Sequence, residues 1–146
     1  MFVIKPIDAA RTYAFRQAIL RPNQPIEACC YPGDLEPDTV HLGAFSGTEL
    51  VGILSVYRVG QPAFELSECW QFRAMATAES VRGQGCGRKL LEQAQMHVRG
   101  QGGECLWANA RSHAIGFYEK LDFAVYGEEF VIEGVGPHYV IGKQLA

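Results

Sequence analysis

Three glycines alternate within Arg82-Gly83-Gln84-Gly85-Cys86-Gly87, and Arg88-Lys89-Leu90-Leu91 opens an amphipathic stretch directly behind them. No other segment constrains the fold as tightly. Glycine lacks a Cβ, so the chain can take φ > 0 and its N–H groups can converge on one point. A helix that starts at the end of such a loop adds unpaired N–H donors and a partial positive charge. Arg82 and Arg88 bring full charges to the same place. The segment therefore reads as a turn between a strand and a helix, suited to an anionic ligand that carries a diphosphate. An ordinary glycine-rich turn before a helix is the bland alternative.

Two common phosphate loops fail on spacing. A Walker loop needs G-x-x-x-x-G-K-[ST], but Gly83 and Gly87 are too close, Arg88 stands where lysine is required, and no Ser or Thr follows to hold Mg²⁺. A dinucleotide fingerprint needs G-x-G-x-x-G with an acidic residue about 20 residues on. Here the spacing is G-x-G-x-G, and the region from Glu104 to Trp107 is a poor match. Arg82, Gly85 and Gly87 instead fit [QR]-x-x-G-x-[GA].

At 146 residues the chain is expected to form one domain, residues 1–146, with a real core. Its 48% hydrophobic and 20% charged residues are those of a soluble globular protein. A net charge of −3 gives no electrostatic case for nucleic acid or an anionic membrane. The N-terminal Met1-Phe-Val-Ile-Lys-Pro has no signal-peptide pattern, and no apolar run approaches the ~18 residues of a membrane span. Five cysteines, Cys29, Cys30, Cys69, Cys86 and Cys105, include no C-x-x-C, so a reduced, cytoplasmic chain is expected. The histidines show no ligand spacing with them, so no metal is expected.

The pattern along the chain predicts strands over residues 2–7, 41–46, 50–59, 68–76, 105–108, 123–131 and 138–143. Helices are predicted over 9–20 with Asp8 as N-cap, over 87–99 with Leu90, Leu91, Ala94 and Val98 on one stripe, and over 113–121 capped by Ser112. Residues 21–38, with four prolines and Gly33, read as a long irregular loop. In the fourth strand, Trp70, Phe72 and Ala74 are expected on one face and Gln71, Arg73 and Met75 on the other. That strand, the helix after Gly87 and the strand at Leu106 make one right-handed parallel βαβ unit, while the other pairings are antiparallel. The expected class is α+β, with a central mixed, mostly antiparallel sheet flanked by helices.

This order, together with two separated motifs, resembles the GCN5-related N-acetyltransferase (GNAT) superfamily over nearly the whole chain. The first motif is the loop Arg82–Gly87 behind the strand Arg73-Ala74-Met75-Ala76. The second runs from Asn109-Ala110-Arg111-Ser112-His113-Ala114 to Phe117-Tyr118-Glu119-Lys120-Leu121-Asp122-Phe123, similar to the family's N-x-x-A-x-x-F-Y-x-K-x-G-F. Asp122 replaces the usual glycine, and Asp tolerates left-handed turns better than most residues.

The resemblance implies an acetyl-CoA-dependent N-acetyltransferase that acts on a primary amine of a small molecule or peptide by direct attack. A non-catalytic acyl-CoA-binding or sensor domain is the alternative. The implied cofactor-binding residues are Met75, Ala76, Arg82, Gly83, Gln84, Gly85, Cys86, Gly87, Asn109 and Tyr118. Tyr118 is the implied general acid, and a core tyrosine is the alternative reading. Asn109 would bond the pantetheine arm or simply end a strand. Glu68 is the candidate base, although a gapless count puts the family's glutamate on Cys69. His138 or a water relay could serve instead. Glu27, Asp34, Glu36 and Asp38 make the long loop acidic, which favours a cationic acceptor unless they are merely solvated. A homodimer remains open.

Overall fold

The computed structural model describes residues 1–64 and 68–145. Among the described residues, seven strands, β1 (Val3–Ile7), β2 (Val40–Ser46), β3 (Glu49–Tyr57), β4 (Cys69–Thr77), β5 (Cys105–Arg111), β6 (Ala124–Ile132) and β7 (Gly136–Gln144), form one mixed sheet in the order β1-β2-β3-β4-β5-β7-β6. The chain divides into two compact units, residues 1–58 with 72–96 and residues 59–71 with 97–146.

In the first unit, β1 (Val3–Ile7), β2 (Val40–Ser46) and β3 (Glu49–Tyr57) pair antiparallel. The turn between β2 and β3 is two residues long, with Gly47 at φ +62°. Residues 51–57 are buried without alternation, which is the pattern of a strand covered on both faces. Helix α1 spans Ala9–Ile19, yet its fully buried residues are Thr12 and Arg16 rather than an apolar stripe. Asp8 stands at its N-cap without a side-chain capping bond. The long loop that follows contains a 3₁₀ turn, Ile26–Cys29.

Strand β4 (Cys69–Thr77) passes from the second unit into the first. Its expected alternation is broken at Ala74, a non-glycine residue with φ +57°. Trp70, Gln71 and Phe72 are all buried, and Arg73, Ala74 and Met75 are all half-buried. Helix α2 (Cys86–Gly100) buries Leu90, Leu91, Ala94 and Val98 as its stripe predicts. Its N-terminal end lies against β3 at Gly52, where an added Cβ would stand 2.9 Å from Cys86 Sγ and 3.2 Å from Leu90 Cδ1.

In the second unit, the start of β4 pairs parallel with β5 (Cys105–Arg111), Cys69 opposite Cys105. These two cysteines form a disulfide with Cα atoms 4.6 Å apart, so the expectation of a fully reduced chain is corrected. Side chains directly opposite across a strand pair are close enough for this, although 36 residues separate them in sequence. Strand β5 runs three residues beyond the expected 105–108. It pairs antiparallel with β7 (Gly136–Gln144), which pairs with β6 (Ala124–Ile132). The expected helix over 113–121 is shorter: a 3₁₀ turn, Ser112–Ala114, leads into α3 (Ile115–Glu119). Ser112 does not cap it, and its hydroxyl donates to Glu129 Oε2 at 2.7 Å. Among the described residues, no helix is long and apolar enough to cross a membrane.

Candidate functional site

The glycine loop lies between a 3₁₀ turn, Glu79–Val81, and the first turn of α2. Gly83 and Gly85 hold φ of +79° and +85°, and an added Cβ at either would meet nothing within 4 Å. Their backbone conformation, and not crowding, is what calls for glycine, and the space above the loop is open. Arg82, Gly83, Gln84 and Gly85 are exposed. Gln84 N–H bonds back to Val81 O at 3.2 Å, and its side-chain amide donates to Ser80 O at 3.1 Å, so the loop is held from beneath. The first four N–H groups of an α-helix have no intrahelical acceptor, and in α2 they belong to residues 85–88, since Lys89 N–H already donates to Gly85 O at 3.1 Å. Cys86 turns its side chain inward and is buried. Burial pushes its thiol up, so only its N–H is suited to a ligand. The geometry fits a diphosphate.

Met75 and Ala76 follow the kink at Ala74 on β4, ahead of the loop. Arg73 precedes the kink. Its guanidinium lies 5.1 Å from the ring centre of Tyr31 and 5.5 Å from that of Tyr57.

The same unit holds a buried polar cluster that sequence reasoning missed. Arg16 is fully buried, and Asp34 is 5% exposed. Arg16 Nη1 donates to Asp34 Oδ2 at 2.7 Å and to Cys29 O at 2.8 Å. Its Nη2 donates to Asp34 Oδ1 at 3.1 Å, Ser55 Oγ at 3.0 Å and Tyr57 Oη at 3.2 Å. Tyr57 O–H and Tyr31 N–H both donate to Asp34, at 2.6 and 2.8 Å. Burial alone would raise the Asp34 carboxyl; the bonds from Arg16, Tyr57 and Tyr31 outweigh it and hold the group below its ordinary value. Burial, and then the bond to Asp34, raise the Tyr57 phenol. His41 lies 2.6 Å from Ser55 Oγ through Nδ1 and 2.9 Å from Asp34 O through Nε2. Because the carbonyl can only accept, Nε2 carries the proton and Ser55 donates to Nδ1. Asp34 is thus a paired core residue, which corrects the picture of an acidic loop. Asp38 is also paired, 3.7 Å from Arg58. The available signal was an arginine on a helix that otherwise lacks an apolar stripe.

In the second unit, Tyr118 sits in α3 and is buried. Its ring packs edge-on to Phe117 and Phe123, with centroids 5.2 and 6.0 Å away. Burial pushes its phenol up to about 12, while the nearby Arg111 charge acts in the opposite direction. Asp122 adopts φ +71°, so it takes the left-handed turn as the motif comparison anticipated. Phe123 N–H then bonds Tyr118 O at 3.1 Å. Asn109 is exposed within β5, opposite Val140, rather than at the end of a strand. Glu68 is exposed immediately before β4, and its N–H donates to Glu104 Oε1 at 2.9 Å. His138 on β7 is buried opposite Arg111 and Phe130. Its Nδ1 lies 2.8 Å from Gly136 O and therefore carries a proton, which leaves the lone pair of the neutral ring on Nε2.

A profile of the Acetyltransferase (GNAT) family matches residues 8–123. The uncharacterized N-acetyltransferase YitI of Bacillus subtilis (strain 168) is 38% identical over 145 residues, covering 99% of this chain and 97% of that protein. The fold resembles the ribosomal-protein-S18-alanine N-acetyltransferase of Escherichia coli, with TM-score 0.78 and 16% identity over 100% of this chain and 95% of that one. An aminoglycoside 6'-N-acetyltransferase complexed with coenzyme A superposes with TM-score 0.73 and 16% identity, covering 99% of this chain and 97% of that one. The glycine loop, the Asn109–Phe123 motif and the strand order all fall within these matches, and the chain belongs to the GNAT family of acetyltransferases.

Proposed function

We propose that this acyltransferase takes its acetyl group from acetyl-CoA and transfers it to a primary amine of a small molecule or peptide by direct attack on the thioester. The observation that carries the reading is the open, exposed pair of left-handed glycines, Gly83 and Gly85, ahead of α2. The N–H groups of Gly83, Gly85, Cys86 and Gly87, with the side chains of Gln84 and Arg82 beside them, would hold the CoA pyrophosphate. The main chain of Met75 and Ala76, beyond the kink at Ala74, would bond the pantetheine arm and polarise the thioester carbonyl. Asn109 would bond the same arm.

Tyr118 would serve the departing sulfur. A phenol near 12 stays protonated throughout the working range of an enzyme. Full proton transfer to a thiolate of pKa ~8.5 would then be uphill by roughly 3.5 units, or about 5 kcal/mol. That magnitude favours an O–H that hydrogen-bonds the sulfur as it leaves over a proton delivered in advance. The acceptor amine loses its proton to Glu68, to Nε2 of His138 or to water. His138 is supported by the contact that ties its Nδ1 to Gly136 O and leaves Nε2 as the other ring nitrogen, and Glu68 by its place at the head of the strand that leads to Met75.

The test is release of free CoA from acetyl-CoA across amines, polyamines, amino acids, aminoglycosides and peptides, for the parent chain and for Tyr118→Phe. We expect turnover with at least one class. Tyr118→Phe should reduce kcat by about 10- to 100-fold with little change in acetyl-CoA affinity. Acetyl-CoA binding without turnover of any acceptor would favour a non-catalytic acyl-CoA-binding domain. Equal kcat for the variant at every pH would remove Tyr118 from the chemistry.

A further inference from the structure

Three guanidinium groups surround one ring in the first unit. Arg16, Arg21 and Arg73 lie 4.2, 5.3 and 5.1 Å from the ring centre of Tyr31. Among the described residues, only Arg16 is neutralised, by its contact with Asp34. Arg21 Nε donates to Tyr31 Oη at 3.1 Å and has no carboxylate partner among the described residues. Arg73 has neither a hydrogen bond nor an ion pair among them, and it is half-buried. In a chain of net charge −3, two uncompensated cations meet at one aromatic ring.

The rings that hold Arg73 are themselves fixed. Tyr57 is locked by its bond to Asp34. Tyr31 is locked through its N–H bond to Asp34 and the Arg21 bond to its hydroxyl. Gly33, at φ +91°, lets the loop close onto the Tyr57 ring, since an added Cβ would lie 3.2 Å from Cδ2. An arginine held between two such rings keeps its fork of N–H donors ordered, which suits a planar carboxylate.

We infer that Arg73, supported by Arg21, is the specificity determinant for the acceptor, and that the acceptor is an amine carrying a carboxylate, of the free amino-acid type. The inference rests on the proposed acetyl transfer. Arg73 stands two residues before Met75 across the kink at Ala74, so the two lie closer than the roughly 7 Å of a regular strand. A carboxylate on Arg73 leaves an amine one or two carbons away near the main chain assigned to the thioester. The buried Asp34 offers no competing attraction for a cationic acceptor, because its charge is spent on Arg16.

The test compares free amino acids with the corresponding amino-acid amides at saturating acetyl-CoA, for the parent chain, Arg73→Gln and Arg73→Lys. The amide has the more readily deprotonated amine, so any preference for the acid is an underestimate. We expect kcat/KM to favour the acid by about tenfold or more in the parent. That ratio should fall by about 10- to 100-fold in Arg73→Gln, mainly through KM, with partial recovery in Arg73→Lys. A structural role alone would lower both acceptors and leave the ratio unmoved. Should Arg73→Gln fail to fold, the parent's acid-to-amide ratio and the lysine variant decide. Equal or better turnover of amides or polyamines by a parent that acetyl-CoA stabilises would overturn the inference and leave the acetyl-CoA reading intact. A parent that neither binds acetyl-CoA nor releases CoA with any amine would overturn that reading, and this inference with it.

Discussion

Arg16 is a full cation with no exposed surface, and it survives there because both of its Nη groups are answered, although its Nε is buried without a hydrogen-bond partner among the described residues. Its stability role is asymmetric. Removing Asp34 leaves a buried, uncompensated charge, which costs about 3–5 kcal/mol, whereas replacing both partners with apolar residues costs far less. Asp34→Ala should therefore lower the unfolding free energy by that amount, read from the fall in the urea midpoint at unchanged slope, with a smaller loss in an Arg16→Met/Asp34→Leu double variant. The Asp34 carboxyl is held low in the fold, so its contribution is present above the ordinary carboxylate range and is lost as pH falls through its folded value. The gap between parent and Asp34→Ala should shrink below about pH 4. A gap that stayed constant into acid would contradict the ion pair. Little of this was legible in the sequence. Eighteen residues separate the partners, and Asp34 is one of four carboxylates in a loop that reads as solvated. The left-handed turn at Asp122 was legible, because the motif fixes its place at the end of the helix.

Among elements, the glycine loop and α2 form a unit whose placement depends on a glycine outside it. Gly52 on β3 leaves just the room that Cys86 and Leu90 occupy. Gly52→Ala should destabilise the protein by about 1–3 kcal/mol through overpacking, read as a lower denaturation midpoint. An unchanged midpoint would mean that α2 can shift freely over β3. The periodicity behind α2 was readable because its stripe alternates strongly with charge. The kink in β4 was not, because Ala74 carries none of the glycine or asparagine signal that marks positive φ. The last helix is shorter than its pattern because its C-terminal end is closed by side-chain and turn bonds: Lys143 Nζ donates to Leu121 O at 3.0 Å, and Leu121 N–H bonds Tyr118 O at 2.9 Å.

At the scale of the whole molecule, the strand order follows from connection length. Tight turns make β2-β3 and β6-β7 antiparallel neighbours, and the crossover through α2 makes β4-β5 parallel. That much was readable from the chain, and it led to the family. The disulfide was not readable, since it depends on β4-β5 register rather than on any cysteine motif. The central claim is that the main chain of the glycine loop holds the CoA pyrophosphate, and it is tested most directly by thermal denaturation with and without acetyl-CoA. At about 100 times Kd the parent should gain roughly 5–10 °C. Gly85→Glu, which forces a side chain into a left-handed position and a carboxylate toward the phosphates, should show no gain while keeping a cooperative transition of its own. A parent without a shift, or a Gly85→Glu variant stabilised as fully as the parent, would contradict the account.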